Sequence, residues 1–194
     1  MKPKHAWAPS QLGFGQSEIF QKLGYESLFI GKVDARERGW RKENQELEMW
    51  WTGPETWEGP TGAVSSLAGK GIFTHIMHEE FNAPCEFGSS AFTLKKDAEQ
   101  HFLKKLSAIT SSIDDTLKCL QKYASHFRTR HLMITAGSDN AFNHAEAHFN
   151  FLERAMVLLH GKRISLENGK SMTFRFKYSS IDSYFTELQT EANK

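Results

Sequence analysis

A mixed α/β fold with a mainly parallel sheet is predicted for this chain of 194 residues, and three observations predict it. Short apolar runs of strand length alternate with longer segments of helical spacing. Turn and cap residues such as Gly24, Gly31 and Asp34 stand at the boundaries. No internal repeat or low-complexity tract interrupts the alternation, so it reads as βαβ units. Right-handed crossovers then place the C-terminal ends of the strands on one face, where ligands of such sheets bind.

Taken in order, "KHAWAPS" is a short strand, and "GQSEIFQKLG" is a helix capped by Ser17 and stopped by Gly24. "SLFIGKVD" is a compact apolar strand, "ARERGWRKENQEL" a charged helix or loop, and "EMWWTG" a strand ending in a turn. "TGPETWEGPTGAVSSLAGKG" is rich in Pro and Gly and reads as a surface loop. "IFTHIM" is a strand and "HEEFNAPCEFGSS" a loop. From Leu94 to His126, helical spacing runs through Phe102, Leu106, Ile109, Ile113, Leu117 and Leu120. A strand at Leu132–Thr135, a helix from about Asn143 to His160, the strand "MTFRFKY" and a helix at Ile181–Leu188 complete the order.

The totals exclude several function classes. With 24 basic and 23 acidic residues and no long run of one sign, no dedicated nucleic-acid surface is expected. No apolar run reaches the ~18 residues needed to cross a bilayer, and "MKPKHAWAPSQ" lacks the apolar core of a signal peptide. Cys85 and Cys119 are too few for a disulfide framework or a Cys-based zinc site. They form one bridge or stay as two thiols, which leaves the redox compartment open.

The residues at the strand ends are Ser10, Gln11 and Leu12; Lys32 and Asp34; Trp50 and Trp51; His75; Gly137, Ser138 and Asp139; and Tyr178. Aromatic, hydroxyl, amide and carboxylate groups in this mixture suit a polyhydroxylated ligand, since sugars offer planar apolar faces and directional hydroxyls. Asp139 stands where an apolar strand stops, either as a helix cap, a role Asn140 could also fill, or as a carboxylate facing the ligand. His75 and His78 flank a strand end, as sugar contacts or as packing residues. His144 and His148 share a helix face at i, i+4 and could hold a metal together, but two ligands do not make a site and a solvated face is expected. "GFGQS" lacks the third glycine of a dinucleotide fingerprint, and no Gly-x-Ser-x-Gly elbow supports a serine nucleophile.

Several segments, in order, resemble glycoside hydrolase family 38 α-mannosidases of the lysosomal type. "FGQSEIFQKLGYESLFIGKVD" is similar to the family's Phe-Gly-His-Ser helix and the strand ending in Gly-Arg-hydrophobic-Asp; "LEMWWTG" resembles its Leu-Glu-x-x-Trp-Arg strand. "IFTHIM" and "FRTRHLMITAGSDNAFNHAEAHFNFLERAM" are similar to the segments that follow. The resemblance implies part of a seven-stranded parallel β/α barrel-like domain with helices outside. It also implies a retaining, zinc-dependent hydrolysis of terminal α-mannose from glycans, in which two carboxylates lie about 5–5.5 Å apart.

By this resemblance Asp139 is the general acid/base. Lys32 takes the place of a substrate-binding Arg and Phe81 that of a substrate-facing Tyr, with His75 beside them. The family's nucleophile precedes Pro-Phe-Gly, whereas "QLGFG" puts Leu12 there, which can neither attack nor bind a metal. The family's early His-x-Asp zinc motif would fall upstream of Met1 and its later zinc-ligand His beyond Lys194. Residues 1–194 are therefore expected to be a partial N-terminal catalytic domain, without the zinc motif or the downstream β domains. No metal is expected for this chain alone, nor turnover beyond a trace. The partners expected are α-mannoside glycans, with self-association through unpaired sheet edges, and no nucleic acid or membrane. The alternative is a non-catalytic mannoside-binding or scaffold protein. The family's compartments are the lysosome and the secretory pathway; this chain's own remains open.

Overall fold

The structure is a computed structural model that describes residues 4–8, 16–52, 56–58, 64–66, 71–80, 82–87, 95–136, 142, 145–166 and 168–192. The fold is mixed α/β and divides into two compact units. One comprises Met1–Glu80, His126–His131 and Ser180–Lys194, the other Phe81–Ser125 and Leu132–Ser179.

The first unit is built on a four-stranded sheet in the order β1 (His5–Ala8), β2 (Ser27–Ile30), β6 (Ile72–Ile76), β3 (Glu48–Trp51). β1, β2 and β6 are parallel, as the alternation predicts, with Ile30 level with both Ala8 and Ile76. β2 is buried throughout, which is why it reads as an unbroken apolar run rather than an alternating one. β3 departs from the expectation of a parallel strand: it runs antiparallel to β6, with Glu48 opposite His75 and Trp51 opposite Ile72. The described strands do not close into a barrel, and β1 and β3 are the edges of this sheet.

Helices α1 (Gln16–Lys22), α2 (Ala35–Glu43) and α6 (Ile181–Ala192) belong to this unit. Ser17 lies inside the first turn of α1, buried, rather than ahead of it as a cap. Gly24 ends the helix as expected: at φ +88° it donates its N–H to Gln21 O, while Tyr25 N–H reaches Phe20 O and the two rings meet edge to face. This is the paired closure that a left-handed glycine permits. The charged segment after β2 is helical, because Asp34 accepts from the N–H groups of Arg36 and Glu37 and so caps α2.

The stretch expected to be a loop between β3 and β6 carries an antiparallel hairpin, β4 (Thr56–Glu58) with β5 (Val64–Ser66). Pro and Gly mark chain reversals, and a reversal serves a hairpin as well as an open loop. At Gly71, φ is +76° and an added Cβ would stand 3.0 Å from Trp51 O and 3.1 Å from Thr52 Cγ2.

The second unit is mainly helical. The single helix expected from Leu94 to His126 is two, α3 (Lys95–Ser111) and α4 (Ile113–Ala124). Ser112 separates them by accepting from Asp115 N–H and donating to its carboxylate. α5 (Ala145–Leu159) turns Phe151, Leu152, Ala155 and Leu159 into a core shared with Phe102, Ile109, Leu117 and Leu120. Cys85, in a 3₁₀ turn at Cys85–Phe87, is bonded to Cys119 of α4, so the two cysteines form the bridge.

One strand expectation fails in this unit and a second is met only in part. Leu132–Thr135 makes no ladder among the described residues; Tyr123 OH instead donates to Met133 O at 2.6 Å. Apolar composition marks a chain for burial without choosing its partner. "MTFRFKY" pairs through β8 (Ser171–Thr173), antiparallel to β7 (Arg163–Ser165) in a local hairpin that Phe174 extends by donating to Lys162 O and accepting from Gly161 N–H. Its turn uses Gly169 at φ +77° and an Asn168 side chain that accepts from Lys170 N–H. No described helix is long and apolar enough to cross a membrane.

Candidate functional site at the C-terminal rim of the sheet

In a parallel sheet, ligands meet the ends of the strands, so the rim reached by β2 and β6 is the place to build a site. The ladder continues past Ile76, since Met77 N–H donates to Ile30 O at 2.9 Å. The same register sets Lys32, exposed in the turn after β2, level with His78. Because β3 is reversed, it brings its first residue, Glu48, to this rim, whereas Trp50 and Trp51 lie toward the opposite one. Their expected place among the ligand-facing strand ends is thereby corrected.

His78 and His126 stack with ring centroids 4.9 Å apart, and His78 Nε2 lies 2.7 Å from His126 Nδ1. At that distance one nitrogen carries a proton and the other accepts it. Glu79 stands 3.5 Å from His78 Nδ1. Arg38 donates to Gly31 O at 2.8 Å and faces Glu80, itself in a left-handed conformation at φ 54°. The rim thus offers a proton-sharing imidazole pair with basic and acidic groups around it, which can exchange a proton or receive hydroxyls.

Beneath the rim lies a buried polar network. Glu48 Oε1 accepts from His75 Nδ1 at 3.1 Å and from Tyr184 OH at 2.5 Å, while Oε2 accepts from Thr129 at 3.3 Å. His75 is 1% exposed and ringed by Phe29, Phe127 and Tyr184. Its geometry is that of the packing alternative: the imidazole is locked under the rim and presents no edge to solvent.

Nearby, Glu191 takes the side chain and backbone N–H of Arg130, 3.0 Å from Arg130 Nε, and lies 3.6 Å from His131. Burial pushes the Glu191 carboxyl up, but the hydrogen bonds from Arg130 and the charges of Arg130 and His131 outweigh it and hold the pKa below the usual range.

Asp139, Leu12 and Phe81 lie outside the described residues, as do Ser10, Gln11, Gly137, Ser138, Asn140 and His144. Tyr178 belongs to the helical unit. His148 is not on a solvated face. It is fully buried, stacked against Phe102 at 5.0 Å and Phe142 at 5.3 Å, with neither ring nitrogen hydrogen-bonded. The phenylalanine-rich surroundings, visible in "AFNHAEAHFNF", are the signal that reading by i, i+4 spacing passed over. Glu48 and Thr129 fell within the segments that carry the resemblance but were not singled out, and Tyr184 carried no signal of its own.

A zinc ion, which the resemblance implies, does not fit the described residues. No three His, Cys, Asp or Glu among them converge on a common point. The 2.7 Å between the nitrogens of His78 and His126 is shorter than the ~3.3 Å between two imidazole donors on a tetrahedral zinc. Their pairing is a hydrogen bond and not a chelate.

The model of the glycosyl hydrolases family 38 N-terminal domain matches residues 1–194. Lysosomal alpha-mannosidase of Felis catus is 24% identical over 189 residues, covering 96% of this chain and 18% of the relative. That of Homo sapiens is 21% identical over the same share of this chain and 17% of its own length. Alpha-mannosidase E of Dictyostelium discoideum is 23% identical, covering 97% and 14%. The chain thus spans less than a fifth of the length of these curated relatives. Matched by that family model along its whole length, the chain belongs to glycosyl hydrolase family 38.

Proposed function

We propose that this chain is the central part of a family 38 catalytic domain, a portion of a seven-stranded β/α barrel-like fold, whose chemistry is the retaining hydrolysis of terminal α-mannose from glycans. The chain itself supplies one half of that chemistry. Asp139 is the general acid: it delivers a proton to the departing glycosidic oxygen as the bond to the anomeric carbon breaks, and it later accepts a proton from the incoming water. Lys32 and Phe81 contact the sugar; His75 supports the rim from below.

The other half is missing. Leu12 stands where the family's nucleophile belongs, so no covalent glycosyl intermediate can form on this chain. Losing that step forfeits many orders of magnitude in rate. No step is assigned here to a metal, because the described residues do not gather a ligand set. The observation that carries this reading is the match of the family model over residues 1–194, with "GSD" kept and "QLGFG" altered.

The test is release of nitrophenol from an aryl α-mannoside by this chain, with zinc added, beside Asp139→Asn. Neither protein should exceed the blank. Turnover abolished by Asp139→Asn would show that another nucleophile operates and overturn the reading of Leu12. Mannoside binding without turnover would move the assignment toward the second reading, a non-catalytic glycan-recognition protein.

A further inference from the structure

At the opposite rim of the sheet, where β2 and β6 begin and β3 ends, lies a hollow of about 340 Å³. It is separated from the C-terminal rim by the length of the strands, roughly 15 Å for four to five residues. Its floor is the buried ring of Phe185 and the backbone of Gly71. Its walls are Trp50, Tyr25, Gln21, Glu26 and Gln189.

The chemistry of these walls is selective. Trp50 is 58% exposed, and Phe73 meets it edge to face at 5.9 Å, bracing the indole while it stays open to solvent. Tyr25 is braced in the same way by Phe20. Gln21 is anchored by donating to Ser17 O at 3.2 Å. Glu26, the only acidic side chain in the lining, is paired with Lys4 at 2.9 Å. The hollow therefore carries little net charge and disfavours an ionic ligand.

We propose that this hollow binds a neutral pyranoside, as a second saccharide site on the rim away from the catalytic chemistry. An indole face packs against the apolar C–H face of a sugar ring. Two amides, a phenol and a carboxylate give directional partners for adjacent hydroxyls. The volume sits at the small end of ligand pockets and suits one ring. The site does not depend on Asp139, Leu12 or turnover.

The experiment is a titration with methyl α-D-mannopyranoside, up to about 100 mM to capture weak binding, followed by NMR of the tryptophan indole N–H signals. The Trp50 signal is the one missing from the spectrum of Trp50→Phe. It should shift saturably in the wild type and equally in Asp139→Asn. Gln189→Ala, an exposed change, should weaken binding roughly fivefold. Trp50→Phe, which keeps a smaller ring, should weaken it less than Trp50→Ala, which should abolish it.

An immobile Trp50 signal would overturn the proposal, whether nothing else moves or only signals sensitive to Asp139→Asn do. In the latter case the catalytic-rim reading survives and this one fails. A shift unaffected by Gln189→Ala and Trp50→Ala, followed through other signals, would overturn it as well.

Discussion

In the sheet unit, the largely buried carboxylate of Glu48 receives hydrogen bonds from His75, Tyr184 and Thr129; in the helical unit, the fully buried His148 lies between phenyl rings with both nitrogens unmatched. The two arrangements respond differently to charge. A carboxylate with three donors has its oxygens satisfied and ties together the parts that supply them. An imidazole between phenyl rings is tolerated only while neutral: burial, followed by the nearby charge of Lys105, lowers its pKa. The helical unit owes its cohesion to apolar burial and one covalent bond instead.

The largest effect should come from removing that bond. Cys85 and Cys119 are 34 residues apart, and opening such a loop costs about 4 kcal/mol in the chain-entropy picture. Cys85→Ser with Cys119→Ser should lower the urea midpoint accordingly. Faster amide exchange should be concentrated in α3, α4 and α5. Equal loss of protection across β2 and β6 would show that the two units unfold as one and break the comparison.

A smaller loss is expected from Tyr184→Phe, which deletes one donor to a buried carboxylate. About 2 kcal/mol is the expected cost, read as a shift in the urea midpoint. A neutral result would mean that the hydrogen bond from Tyr184 to Glu48 adds nothing net to stability.

The smallest effect concerns pH. A histidine with a lowered folded pKa binds its proton more readily in the unfolded chain. Stability is therefore lost as pH falls below the unfolded value of about 6.5, and regained as it rises. The groups bearing on His148 include Lys105 and the stacked Phe102 and Phe142. His101, on α3 with Phe102 and Lys105, shifts in the same direction, by burial first and then by Lys105 and Lys104. His148→Phe should flatten the slope of stability between about pH 5 and 7 without removing it. Asp115, lowered by its Ser112 hydrogen bond and then by Lys118, and Glu191 act in a lower window, below about pH 4.5. An unchanged slope between pH 5 and 7 would show that His148 takes up no more protons in the unfolded chain than in the folded one.

These contrasts explain what could be read in advance. β2 was legible because a fully buried strand writes itself as a nearly unbroken apolar run, β6 because apolar residues bracket its Thr74 and His75, and α1 because Gly24 ends it. The break at Ser112 was legible in principle from a serine three residues before an aspartate, but the apolar spacing across it is continuous and conceals it. The direction of β3 was not legible at all: alternation gives the presence of a strand, while its polarity depends on a partner more than 20 residues away. For the same reason Glu48 could not be joined to Tyr184, 136 positions along the chain. Asp139 and Leu12 were legible as strand-end residues, took their chemical roles from the resemblance alone, and lie outside the described residues.

Gly71 turns one of these features into a matter of inheritance. Its left-handed backbone and the 3.0 Å clearance to Trp51 O bar a side chain there, and the same backbone forms part of the floor beside Trp50. A descendant that exchanged this one letter for alanine would strain the start of β6 against Trp51 and Thr52, at a residue that lines the hollow. In any related sequence, position 71 therefore records whether the far rim of the sheet can still keep this shape.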